Sequence, residues 1–509
     1  MTRRLSSWPI AALVVMLLSA GLPCAAAAQQ STSSARPDSA HMDPRAQPAT
    51  HDRSVFAADP NYGNPAYDYQ AQLDIYGAKH LNSTQRPLLE LGRELYQSGP
   101  FSPAPTFLGS HNIVIPQLLV YGDFRSAAGG SDAGTQISRW GNRLNLDVDL
   151  KITATERFHA LFRPFEDKGQ FTGATFSGDS TGFKGHYNGD PAALFFEGDL
   201  GAIVGGLTGH DSPFDLPISA GRMPLLFHNG IWLQDAFSGA AFAIPARNSG
   251  SLDWSNFDGS FFYGGRDVSN SFVGNGKDHG QIFGTNTFID AYHGYVEAGY
   301  AYIAGGDVTQ PDFHSVALSF TRRWGGIVSN SVRYIGAFSQ GVPTGIVTPA
   351  GTAVNPTPNG HLFLMENSFI TSHEATVVPY LNLFFGIDNP VSAARDPGAG
   401  GILTNTGINF ETDAITAFPA LDATGRNSTG GALGLELLGS QLDRQVVFEV
   451  ATAYPHQTSA EMPGGQYAFG IRAQKVLNRA MIFRVDGIAG KRTGLPDVRG
   501  IRAELRTKF

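Results

Sequence analysis

The sequence predicts an all-β fold, a transmembrane antiparallel β-barrel of about 18 strands, behind a short N-terminal segment that is partly disordered and partly helical. Three observations predict it. The composition is that of strands and turns, with 61 glycines, 35 phenylalanines and only 16% charged residues in 509, against roughly 25% charged in soluble domains. From about Ile115 onward, segments of period two recur, and that period puts alternate side chains on opposite faces of a strand. The connections between them tend to alternate short and long. In an antiparallel array this gathers the tight turns at one end and the long loops at the other.

Residues 1–28 read as an export signal. Arg3 and Arg4 precede the apolar stretch Ile10–Leu18, and Ala26-Ala27-Ala28 offers a small-residue cleavage site before Gln29. The arginine pair also fits a twin-arginine signal, but the apolar stretch is that of general secretion. Cys24 is the sole cysteine; Pro23 before it argues against a lipid anchor, so it would leave with the signal and no disulfide would form. Residues 29–110 are rich in Ala, Ser, Pro and Asp and read as a flexible region with one short helix, about 84–97. Ser83 or Thr84 can cap that helix, Pro87 suits its first turn, and Leu88, Leu91 and Leu95 share one face.

The barrel is expected over 111–509. In "RWGNRLNLDVDLKI", Trp140, Leu144, Leu146, Val148, Leu150 and Ile152 fall on one face, and Arg139, Arg143, Asn145, Asp147, Asp149 and Lys151 on the other. The same alternation runs through "LLVYGDFR", "ALFFEGDLGAIV", "FHSVALSFTRR", "RQVVFEVATA" and "MIFRVDGIAGK". Most such segments are near the roughly 9–11 residues a tilted membrane strand needs. Tight turns are expected at 153–156, 290–293, 325–326, 372–375 and 477–480, and long loops at 165–192, 265–279, 339–360 and 388–428. The chain closes on "IRAELRTKF", with Ile501, Ala503, Leu505 and Thr507 on one face and Arg502, Glu504, Arg506 and Lys508 on the other. Such a strand suits a barrel with lipid outside and water inside, and closure leaves no edge unpaired in hydrocarbon. Phe509 as a final aromatic resembles the signal that outer-membrane assembly machinery reads. An even strand count returns both termini to the periplasmic side. A soluble sandwich would not repeat charge on one face so often, and a solenoid would show a fixed repeat of roughly 20–50 residues.

If the charged face lines the lumen, the channel-lining candidates are Arg139, Arg143, Asp147, Asp149, Lys151, Arg222, Asp235, Arg333, Arg484, Asp486, Arg502 and Glu504. Counted over all the predicted strands, twelve basic and twelve acidic residues fall on this face, which argues against a ring of one sign as a selectivity filter. Pairing across strands is the structural expectation for each of them. The net charge of −8, without a Lys/Arg block, points away from nucleic acid. Histidines are scattered without zinc spacing and no phosphate-cradling loop is present, so neither metal nor cofactor is expected. Ser180 in "GDSTG" fits G-x-S-x-G but lies in a Gly-rich loop, not between a strand and a helix.

The segment "GRMPLLFHNGIWLQDAFSGAAFAIPA" resembles porin-like outer-membrane proteins of the alginate-export type. They share the Gly-Arg strand end, here Gly221-Arg222, the Gly loop at Gly230, and an Asp-x-Phe-x-Gly strand start at Asp235, Phe237 and Gly239. Met223 stands where that motif usually has Gln. The resemblance implies an arginine-rich lumen passing an acidic polysaccharide, with Arg222 and Asp235 at a constriction. The expected function is a non-enzymatic outer-membrane porin for diffusion or export of small hydrophilic solutes or saccharides. The alternatives are a scaffold barrel whose N-terminal segment docks a periplasmic partner or plugs the lumen, and an outer-membrane hydrolase. Expected partners are outer-membrane lipid and lipopolysaccharide, the barrel-assembly machinery and the solute; a homo-oligomer is compatible with this reading.

Overall fold

The computed structural model describes residues 85–92, 114–177, 181–271, 280–305, 312–340, 357–373, 376–439 and 442–509. A short strand, β1 (Leu89–Gly92), precedes β2 (Val114–Asp132), β3 (Gln136–Thr153) and β4 (Arg157–Phe162). Three small strands, β5 (Glu166–Asp167), β6 (Gln170–Thr175) and β7 (Gly182–Lys184), decorate the next loop. The wall continues with β8 (Pro191–Asp199), β9 (Pro217–Phe227), β10 (Leu233–Ser249), β11 (Trp254–Arg266), β12 (Gln281–Ala291) and β13 (Gly294–Ala304). It goes on through β14 (Asp312–Trp324), β15 (Val328–Gln340), β16 (Gly360–Phe369) and β17 (Val377–Asp388). After a two-residue strand, β18 (Ala394–Arg395), the wall is completed by β19 (Ser428–Leu438), β20 (Arg444–Pro455), β21 (Gln466–Asn478), β22 (Met481–Arg492) and β23 (Val498–Lys508).

Every wall strand pairs antiparallel with its neighbour, and β23 closes on β2 from Asp123↔Lys508 to Asp132↔Arg499. With β1, β5, β6, β7 and β18 set apart, the closed wall has 18 strands. The tight connections fall at one end: 154–156, 250–253, 292–293, 325–327 and 479–480. Tyr292 and His293 both have φ of 58°, which lets a two-residue connection follow the strand twist. The long connections 163–190 and 389–427 fall at the opposite end.

The two faces separate as the period-two reading requires. Leu318, Val332, Phe363, Leu433, Phe469 and Ile501 are between 47% and 53% exposed on the outside of β14, β15, β16, β19, β21 and β23. An apolar belt of this extent needs an apolar surrounding. On β23, Arg502, Glu504 and Arg506 face inward and ion-pair there. The inward face is not charged throughout, however. On β10 to β16 it carries Phe237, Phe262, Ile282, Phe313, Ile335 and Leu362, all buried. These side chains pack against Ile402, Leu403 and Phe410 of the 389–427 loop, which folds back into the lumen.

Two local expectations are corrected. No helix forms in the described part of 84–97: Leu89–Gly92 pairs with β2 from Leu89↔Val120 to Gly92↔Gln117. β23 ends opposite Gly122 through Phe509, so β2 runs on beyond it and offers an open edge that β1 fills. The rest of that expected helix, with the signal and the 29–84 stretch, lies outside the described residues. Second, the period-two segment "ALFFEGDLGAIV" is a strand only to Asp199. Leu200–Thr208 is a helix, α1, capped by Asp199, which accepts from the Ala202 amide at 2.8 Å. Gly209 stops it at φ 73°, the left-handed conformation glycine adopts without cost to a side chain.

The lumen as candidate functional site

The lumen is built from wall side chains and two inward-folded connections. The shorter, His228–Trp232, follows β9 with His228 and Asn229 both in the left-handed region. It tucks Trp232 fully inside, where Nε1 donates to Ser315 Oγ at 2.9 Å. Gly299 makes room for that ring: a Cβ there would lie 2.5 Å from it. Burial, with the Arg333 charge beside it, pushes the His228 imidazole down to about 3, so this ring is neutral.

The longer connection, 389–427, crosses the lumen. Its strand β18 pairs parallel with Leu233 and Gln234 at the start of β10. Arg395 donates to the carbonyls of Gly230, Ala399 and Gly400, and burial pushes its guanidinium down to about 10. On the far side, Glu449 of β20 is 1% exposed and grips the loop. Its carboxylate accepts from the Ile408 and Asn409 amides, both at 2.9 Å, and from Tyr380 Oη at 2.5 Å. Gly407 sits against that carboxylate, where a Cβ would come within 2.5 Å of Oε2.

Two acids of the same loop dock on an arginine cluster. Asp413 lies 2.7 Å from Arg502 Nη1, and Glu411 pairs with Arg472 and Arg484. Asp486 at the centre accepts from Arg472, Arg484 and Arg502 at 2.7, 2.7 and 2.9 Å. Burial works to raise the Asp413 carboxyl. The Arg502 charge and the Thr416 hydroxyl outweigh it and hold that carboxyl below 3.8. The cluster continues onto the closing seam, where Arg125 meets Glu504 and Arg506 meets Asp123.

The candidates read from the sequence therefore fall into separate groups. Arg484, Asp486, Arg502 and Glu504 come together in this network. Arg139 and Arg143 share the inward face of β3; Arg143 Nε is 3.1 Å from Glu166, while Arg139 makes no ion pair among the described residues. Nearer the tight-turn end, Asp147, Asp149 and Lys151 share that face, and Asp149 accepts from Tyr121 Oη at 2.8 Å and pairs with His159. Arg333 stands apart, 2.7 Å from Glu366. Asp235 faces inward but is 5% exposed, and its two oxygens accept from the Ala236 and Ser269 amides at 2.8 and 2.6 Å. It fastens loop backbone.

Arg222 is corrected outright. It sits opposite Leu194 and Ser238 on the outer face, and its guanidinium reaches the carbonyls of Pro191 and Ala236. Met223 takes the inward position, 1% exposed. Glu411 and Asp413, central to the luminal network, were not among the candidates. A signal for them exists: "NFETDAITAFPAL" carries too many large apolar residues for a solvated loop. Ser180 lies outside the described residues, and no group of three or more metal-ligating side chains occurs among the described residues.

No family model and no curated protein sequence matches the chain. Among solved structures it is similar to OccK11 (OpdR) of Pseudomonas aeruginosa, at 10% identity and a TM-score of 0.49 over 77% of this chain and 96% of that one. It is also similar to the outer membrane protein opdK of the same organism, at 11% identity and TM-score 0.47 over 77% and 98% of the two chains. OccAB4 of Acinetobacter baumannii gives 9% identity and TM-score 0.47 over 77% and 97%. None of these findings supports the alginate-export type. The barrel assignment rests on the strand pairing itself.

Proposed function

We propose that this protein is an outer-membrane channel through which small hydrophilic solutes diffuse, its lumen narrowed by the 389–427 connection. The observation that carries the reading is the closed wall with an apolar belt outside and a charged, ion-paired surface inside. A closed barrel satisfies its backbone within the wall, as a strand structure in hydrocarbon must. The interior then needs water, since its carboxylates and guanidinia cannot be matched by lipid. The loop reaches both sides of the lumen, with Phe410 on the apolar side and Ile415, Thr416 and Phe418 against β3, β2 and β23 on the charged side, so the solute path is the space it leaves open. Both termini, with the tight turns, belong on the periplasmic side, and the long loops outside.

The acidic-polysaccharide cargo is not carried over, since Arg222 points away from the lumen. Pairing of nearly every luminal arginine leaves little net charge along the path, and weak ion selectivity follows. Recording current across a planar bilayer under a salt gradient tests this. Discrete steps with a reversal potential near zero are expected; silence from a folded, heat-modifiable barrel would overturn the channel reading.

A further inference from the structure

The outer wall is not uniformly convex. A groove of about 1070 Å³ crosses it from β17 to β22. Its line follows one row of cross-strand partners, Leu383↔Gly431, Gly431↔Thr452, Thr452↔Tyr467 and Tyr467↔Lys491. At the middle of this row the outward residues are Gly431 and Thr452, where neighbouring rows carry large side chains. On the tight-turn side the bank is Leu433, Val450 and Phe469, paired in sequence; on the loop side it is Tyr454, 55% exposed. Five strands at about 4.8 Å spacing make the trough roughly 19 Å long, running across the tilted strands and so obliquely around the barrel, long enough for an extended acyl chain.

The groove is apolar along its length and cationic at one end. Lys491 and, one row over, Arg499 opposite Ala489 point outward there. Neither makes an ion pair among the described residues, although Asp497 also stands at this rim. The rim lies at the end of β21, β22 and β23 that faces the long loops. Two cations beside an apolar trough at a membrane boundary fit a molecule that is an acyl chain joined to a phosphate. Arg and Lys at such a boundary attract anionic headgroups.

From this geometry we infer that the groove is a binding site for a phosphorylated glycolipid of the outer leaflet, of the lipid A class. One acyl chain lies over Gly431 and Thr452, and a sugar phosphate sits on Lys491 and Arg499. The inference rests on reading the barrel as an outer-membrane protein with its loop end outside.

The full chain in detergent is incubated with bis-phosphorylated lipid A, phosphatidylglycerol or phosphatidylcholine, and retained lipid is counted by native mass spectrometry. Lipid A is expected to be retained over both phospholipids. Its retention is expected to fall at least tenfold in Thr452→Phe, which fills the trough, and in the Lys491→Ser, Arg499→Ser double variant, which empties the rim. Both variants face away from the lumen, so unchanged conductance and heat-modifiable migration report that they are folded. Retention unaffected by either variant would overturn the site, and equal retention of phosphatidylglycerol would overturn the glycolipid assignment. An oligomer that Thr452→Phe dissociates would give the groove to a second copy of the chain and also overturn it. A chain that conducts but retains no lipid A loses only this inference; one that retains it without conducting loses only the channel reading.

Discussion

A carboxylate buried as deeply as Glu449 must find a donor for each lone pair, and here the donors come from the loop it holds and from Tyr380 of β17. The amides of Ile408 and Asn409, the Asn409 side chain and the Tyr380 hydroxyl all point at it. Hydrogen bonds to a charged acceptor contribute about 1.5–3 kcal/mol each, and more is lost when buried donors are stranded. Glu449→Ala is therefore expected to free the 389–427 connection while the wall stays closed. Single-channel records should show larger and noisier current, and limited proteolysis should cut within 389–427. Wild-type current and wild-type protection in a folded variant would mean the loop is held elsewhere. Glu449→Gln separates charge from shape: it keeps the reach but can orient only its carbonyl oxygen toward the loop amides, so an intermediate effect is expected.

At the scale of the element, the 389–427 connection is a strap whose acids quench an arginine cluster. Glu411 and Asp413 offset charge on Arg472, Arg484 and Arg502. Replacing them by Gln and Asn would leave three cations sharing Asp486, and the reversal potential should move toward anion preference. No movement would indicate that this cluster lies off the ion path. Asp413 also sets a pH response. Its carboxyl is held below 3.8 in the folded chain, so its stabilisation is fully present above that value and is lost as pH falls through the lower folded one. The Asp413 contact should therefore be lost only in acid below the ordinary carboxylate range, and Asp413→Asn should remove that acid step from the current; identical acid profiles for the variant and the wild type would contradict the pairing. How legible these elements were differs for physical reasons. β23 is plain because its faces carry opposite chemistries. β9 is not, since Met223 inside and Leu226 outside are both apolar, and Arg222 went to the wrong face on the strength of a motif. The strap was read only as a long loop. Its Phe410, Ile415 and Phe418 follow no period, and only the surfaces they meet explain them: Phe384 on β17 for Phe410, Gly141 on β3 for Ile415, and Gly500 and Arg502 on β23 for Phe418. α1 was hidden by an apolar run whose limits are set by a cap at Asp199 and a left-handed Gly209.

For the whole molecule the closed seam and the outer belt are one condition seen from two sides. Closure requires every strand to pair, so no outward residue can be sheltered by a neighbouring element. Each must suit the surrounding solvent on its own. That is why the outward row of β14 and its neighbours is apolar at mid-strand, with Leu318 set between Ala298 and Tyr334 at 53% exposure. In water this exposure would cost stability; in hydrocarbon it costs nothing, and a charge there does. Leu318→Arg is expected to destabilise the refolded barrel by about 2–4 kcal/mol if that position lies near the bilayer midplane. Leu318→Phe, equal in polarity, should leave the midpoint of unfolding in urea and lipid vesicles unchanged. The comparison isolates the solvent, because both substitutions add bulk to the same open position. If the Arg variant unfolded at the wild-type midpoint, Leu318 would face water, and the belt would have to be explained by a protein partner instead of lipid.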